Sequence, residues 1–72
     1  MANPEKQTGT ANEVYDLISI IYHALQGAQT TYKYTKDTSG NQVLTQFFEQ
    51  TQQQNREQAE RALQLLKERL NQ

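Results

Sequence analysis

Few residues of this sequence could take part in chemistry. His23 is the only histidine, and the chain contains no cysteine. At 100° per residue, His23 shares a polar side of the first predicted helix with Asp16 and Gln26, which favours a solvent-exposed ring over a catalytic base or metal ligand. We find no Ser/His/Asp set, glycine-rich phosphate loop or pair of catalytic carboxylates. The sequence therefore predicts no catalytic residues, and we expect a protein that is not an enzyme.

Two amide side chains occupy an unusual position. Asn55 and Gln58 are three residues apart, a spacing that places both on the same face of a helix. That face is otherwise mostly apolar. Its members are Leu44, Phe47, Phe48, Thr51, Asn55, Gln58, Ala59, Ala62, Leu65 and Leu66.

Two helices and one short turn must position these residues. Thr10 followed by Glu13 is a capping-box pattern, which predicts that helix 1 begins near Ala11. The segment 37–41, with Gly and Asn, favours a tight connection, so the fold class is all-α, a hairpin of two long antiparallel helices. The expected organisation is a flexible lead-in at 1–10, helix 1 at about 11–37, a turn at 38–41 and helix 2 at about 42–69.

The short turn also predicts which residues face each other. If the chain reverses midway between the helix ends, Leu25 lies opposite Asn55, and Tyr32 lies opposite Phe47.

Helix 1 has two apolar stripes, about 110° apart at 100° per residue. One partner helix cannot cover both, and a chain of 72 residues without cysteine buries little surface by itself. We therefore predict a homodimer, in which two hairpins form a four-helix bundle. The stripe expected to pack within the hairpin is Val14, Ile18, Ile21, Leu25, Ala28 and Tyr32. The stripe expected at the dimer interface is Leu17, Ile20, Ala24, Gly27, Thr31 and Tyr34.

Helix 2 resembles a known family. The string FEQTQQQNREQA, residues 48–59, is similar to the second helix of rubrerythrin-like members of the ferritin-like superfamily, in which the corresponding string ends in Glu-x-x-His-Ala. Asn55 and Gln58 occupy the Glu and His positions. The string ALQGAQ, residues 24–29, is similar to the Gly-Glu segment of that family's first helix, but Ala28 replaces the acid. The resemblance implies a ferritin-like bundle whose metal-ligand positions are substituted.

These substitutions predict the loss of the metal centre. Neutral amides are poor ligands for iron or manganese, so we expect no dinuclear metal site and no cofactor. A buried amide without a hydrogen-bond partner costs about 1 to 3 kcal/mol. We therefore expect Asn55 and Gln58 of both chains, with Gln29 or Tyr22, to form a buried polar layer that sets the register of the dimer.

Three functions remain open at this point. The first is a non-enzymatic, dimeric structural or interaction module whose partner is itself, with a further protein partner unidentified. The second is a metal-binding protein of the same fold with a displaced site. The third is a regulatory adaptor that binds a partner helix through the small residues of helix 1. Candidate ligands for a displaced site are Asp16, His23, Glu57 and Glu60.

Charge and hydropathy argue against other partners. The net charge of −1 does not favour a nucleic-acid surface, and the apolar run 17–21 is too short to span a bilayer. Residues 1–10 lack the basic and apolar regions of a signal peptide, so we expect a cytoplasmic protein.

Overall fold

The computed structural model describes residues 12–71, which form two long helices joined by a short turn. Helix α1 is Asn12–Asp37 and helix α2 is Gln42–Leu70. The helices pack side by side in a body of 50 × 24 × 16 Å, and the described part of the chain contains no strand. The predicted all-α hairpin is therefore confirmed. The predicted cap at Thr10 and the lead-in at 1–10 lie outside the described residues.

The turn is held together by side chains as well as by backbone. The buried Thr38 has its Oγ1 atom 2.7 Å from Oγ1 of Thr45, and the Thr45 hydroxyl lies 2.9 Å from the Thr38 carbonyl oxygen, to which it donates. Asn41 caps α2, because its side-chain oxygen accepts a hydrogen bond from the Leu44 N–H at 3.1 Å. Gly40 has a φ of 91°, which an L-residue with a side chain rarely adopts.

A heptad seam joins the two helices. In each helix, positions spaced alternately three and four residues apart are all buried or half-buried, as in a coiled coil. On the α1 side these residues are Val14, Leu17, Ile21, Ala24, Ala28, Thr31 and Thr35, followed by Thr38 just after the helix. In α2 they are Thr45, Phe48, Gln52, Asn55, Ala59, Ala62, Leu66 and Arg69.

The seam corrects the predicted division of α1 into two stripes. Ile18, Leu25 and Tyr32 were expected to pack against α2, but they are 50%, 52% and 51% exposed. Ala24 and Thr31 were expected to contact a partner chain, but both are already buried within the hairpin. The physical reason is that small side chains let two helices approach closely, so the seam follows the small residues and not the most apolar ones.

The remaining residues of the predicted interface are divided between the seam and the surface. Leu17 and Gly27 are half-buried, whereas Ile20 and Tyr34 are exposed on one side of the hairpin.

The register between the helices also differs from the prediction. Asn55 lies against Gly27 and not Leu25, and the Phe48 ring lies 5.9 Å from that of Tyr34. This is a shift of about two residues, or roughly 3 Å at 1.5 Å per residue. It arises because Thr38, the first residue after α1, packs against Thr45, so the chain reverses nearer to α2 than the midpoint between the helices.

Neither helix combines the length and the hydropathy that a membrane span requires.

We expect Gly40→Ala to lower the free energy of unfolding by about 1 to 2 kcal/mol, because a Cβ is disfavoured at positive φ. No atom lies within 4 Å of the position that this Cβ would take, so the loss reports backbone conformation and not a clash. Denaturant unfolding at a fixed protein concentration measures it. Ser39→Ala, in the same turn, is the control. Equal stability of the two variants would contradict this account of the turn.

Candidate functional site

Asn55 lies at the middle of the hairpin, where its amide packs on the backbone of α1. A Cβ placed on Gly27 would lie 3.1 Å from Asn55 Nδ2 and 3.3 Å from both Cγ and Oδ1. Gly27 therefore gives Asn55 the space that it occupies in the seam. The half-buried amide makes no hydrogen bond to another residue within 12–71, so its donors and acceptor are open to water or to another molecule.

The other members of the predicted polar layer are exposed and lie apart. Gln58 shares a groove with Asn55 and Ile20, whereas Gln29 lines a groove with Leu25 on the other side of the seam. Tyr22 is 61% exposed and makes an edge-on ring contact with His23, with centroids 5.3 Å apart. The four residues therefore do not form one layer within the chain, and only Asn55 and Gln58 share a surface.

Two faces flank the seam, and each includes half-buried seam residues at its edge. The Ile20 face consists of Ile20 and Tyr34 of α1 with Phe48, Asn55 and Gln58 of α2. An aromatic cluster lies at its turn end, where Phe48 also contacts the ring of Phe47, at 5.8 Å. The Leu25 face consists of Ile18, Ile21, Leu25 and Tyr32 of α1 with Gln52, Arg56, Glu60 and Leu63 of α2.

The candidate ligands of a displaced metal site do not converge. Glu60 lines the Leu25 face and His23 lines the Ile20 face, while Asp16 lies in a groove near the open end of the hairpin. Glu57 accepts a hydrogen bond from Gln53 at 3.2 Å. Among residues 12–71, no three His, Asp or Glu side chains are close enough to hold a metal ion together.

One ion pair closes the open end of the hairpin. Arg69 Nε lies 3.0 Å from a carboxylate oxygen of Glu13. The Glu13 side chain is 65% exposed, and such exposed pairs contribute at most about 1 kcal/mol. This pair therefore helps to fix the register without providing much stability.

Sequence reasoning missed the seam, although the sequence contained the signal. In α1 an apolar or small residue stands at every seam position, with the spacing of three and four residues that is typical of helices that pack along their whole length. Ranking the stripes by hydrophobicity concealed this pattern, because many seam positions are Ala or Thr.

Comparison with known proteins gives no match. No protein-family model matches the sequence, and no curated protein or solved structure is significantly similar to it. The relation to rubrerythrin-like proteins therefore stays a prediction from the residues themselves.

The contact between Gly27 and Asn55 can be measured with a double-mutant cycle. In an Asn55→Ala background, we expect Gly27→Ala to stabilise the protein by about 1 kcal/mol, because alanine is the better helix former. In the wild-type background the gain should be clearly smaller, since the new Cβ meets the amide. Denaturant unfolding gives both values. Gln58→Ala supplies a matched control background, in which the gain should equal the wild-type gain; equal gains in all three backgrounds would refute the contact.

Proposed function

We propose that this chain is a non-enzymatic, homodimeric module with a structural or interaction role, in which two hairpins form a four-helix bundle. The observation that carries this proposal is the mismatch between what the hairpin buries and what it exposes. The buried apolar residues are Ala24, Ala28, Ala59 and Ala62, whereas larger side chains such as Leu25, Phe47 and Tyr32 are 52%, 59% and 51% exposed.

The energetics favour association. Full burial of a Leu, Ile or Phe side chain stabilises a fold by about 1.5 to 3 kcal/mol, while alanine offers a single methyl group. None of the described large side chains is fully buried in the single chain. A single hairpin therefore gains little of the stabilisation that burial of its large apolar side chains would give. A second copy of the chain supplies contacts that bury them.

The ferritin-like relation is part of the same proposal. It is supported by the string at residues 48–59, by the hairpin of two long helices, and by the place of Asn55 at its centre. In this proposal the amides stand where a metal-binding relative has Glu and His, and the bundle works without a dinuclear centre. Of the four residues predicted for the polar layer, only Asn55 and Gln58 share a surface, since Gln29 lies on the other side of the seam.

The proposal predicts that association and folding are linked. At micromolar concentration we expect a dimer in sedimentation equilibrium, and a melting temperature that rises with protein concentration because dimerisation stabilises only the folded state. Sedimentation, and circular dichroism melting over a hundredfold concentration range, test this. A hairpin that stays monomeric and melts cooperatively at a concentration-independent temperature would exclude the dimer.

Metal analysis tests the competing function. We expect purified protein to carry far less than one iron, manganese or zinc ion per chain, because the acids and the histidine within 12–71 do not converge. Quantifying the three metals per chain by mass spectrometry provides the measurement. Stoichiometric metal that is lost on replacing His23, Glu57 or Glu60 would favour a metal-binding protein instead.

A further inference from the structure

Four charged residues of α2 lie on one strip at the edge of the Leu25 face. Glu49, Arg56, Glu60 and Lys67 are separated by seven, four and seven residues, spacings that keep them on the same side of a helix. Arg56 and Glu60 line the groove that contains Leu25. None of the four makes an ion pair with another residue within 12–71, including Arg56 with Glu60 one turn away. Their charges are therefore available to another molecule.

The order of the charges is self-complementary. Along the strip the signs are negative, positive, negative, positive, and Gln58 lies midway between Arg56 and Glu60 as well as between Glu49 and Lys67. A second α2 that runs antiparallel, with its Gln58 at the same level, therefore brings every acid of the strip opposite a base. Arg56 meets the partner subunit's Glu60, and Glu49 meets the partner subunit's Lys67.

The apolar residues of α1 have a matching symmetry. Leu25 is midway between Ile18 and Tyr32, and all three are about half-exposed on the same face. An antiparallel copy of α1 centred on Leu25 packs Leu25 on itself, and packs Ile18 on the partner subunit's Tyr32. The contacts of Ile18, Leu25 and Tyr32 across the axis are therefore all between apolar or aromatic side chains.

The two symmetry centres lie at the same height in the hairpin. Asn55 lies against Gly27 and Phe48 against Tyr34, so Gln58 is level with Ala24 or Leu25. The two centres are independent of each other, because one depends on the charges of α2 and the other on the apolar residues of α1. The common level is also near the middle of Asn12–Asp37, so two copies overlap over almost their whole length.

We propose that a second copy of this chain packs antiparallel on the Leu25 face, about a two-fold axis perpendicular to the helices at the level of Leu25 and Gln58. This inference rests on the proposed function, because it specifies the face and direction of that dimer. The proposed interface differs from the one predicted from the sequence, which included Ile20 and Tyr34. The groove that contains Ile20 has no paired acid and base among its lining residues.

Apolar and charged groups have different roles in this dimer. Burial of Leu25, Ile18 and Tyr32 drives association. The flanking ion pairs add little affinity individually, but they favour the antiparallel direction, because only that arrangement places α2 on the partner subunit's α2 and brings every acid opposite a base. The charges at the edge of the interface thereby disfavour a parallel dimer.

Exchange of the central charges tests the interface. Arg56→Glu and Glu60→Arg should each weaken self-association by about tenfold or more, because two attractive pairs become repulsive. An equimolar mixture of the two variants should form a heterodimer of near wild-type affinity, since the two acids of one variant then face the two bases of the other. Mixing leaves the charge repulsion within each chain unchanged, so the rescue reports contacts between chains. Sedimentation of the separate and mixed variants measures this.

Glu57→Arg and Arg61→Glu are the matched controls. They make the same charge changes with the same four-residue spacing, at positions that are exposed and outside the Leu25 face. Their affinities should stay within about threefold of wild type, and mixing them should give no gain. Equal effects at both pairs of positions would overturn the proposed interface.

Spin labels test the direction without altering the interface. The chain has no cysteine, so Ser39→Cys and Gln26→Cys each provide a single labelling site at an exposed position. With an axis at Leu25 and a rise of 1.5 Å per residue, the two labels at position 39 should be about 40 Å apart, and those at position 26 under about 20 Å. Short distances at both positions would show a parallel dimer and refute the proposal.

The two levels of the proposal can fail separately. A monomeric wild-type protein would overturn both the proposed function and this inference. A wild-type dimer whose charge variants show neither weakening nor rescue on mixing would overturn only the Leu25 interface. If a charge variant loses its helical circular dichroism signal, the spin-label distances in the otherwise unaltered chain still decide the direction.

Discussion

The close packing of α1 on α2 through small side chains governs the rest of this structure. Ala24 and Ala28 of α1 and Ala59 and Ala62 of α2 all lie in the seam, and all four are buried. Because a methyl group fills so little space, the helices lie close together, and the larger apolar side chains are left on either side of the contact. The hairpin consequently has a narrow core and two apolar faces. Exposed apolar surface of this kind is typical of protein interaction sites.

The same close packing explains how a polar residue fits in the seam. Asn55 can lie there because Gly27 has no Cβ to occupy the space taken by the amide. The amide remains accessible from the Ile20 face and needs no partner within the chain to avoid the cost of burial. Asn55 is therefore compatible with a single hairpin, and a dimer that buried the Ile20 face would have to satisfy it.

In the proposed dimer, charge provides the specificity that apolar contact lacks. Apolar surfaces attract one another in many orientations, so a hairpin with two apolar faces needs a further feature to select one assembly. The alternating signs along Glu49, Arg56, Glu60 and Lys67 favour one face and one direction. Both the apolar residues of α1 and the charges of α2 lead to the same axis, which is why a structure of one chain bears on the arrangement of two.

Local signals in the chain are enough to specify the helices and the turn of this protein. Gly40 and Asn41 define the turn and the start of α2, and the amphipathic patterns on either side define two helices, because these signals act over a few neighbouring residues. The charge order of α2 is likewise a property of the sequence alone. The packing between the helices, in contrast, determines that Ala24 and Thr31 face α2, that Asn55 lies on Gly27, and that Leu25 is exposed. These contacts depend on how closely the two helices can approach and on where the chain reverses. A ranking of residues by hydrophobicity predicts neither the approach of the helices nor the point of reversal.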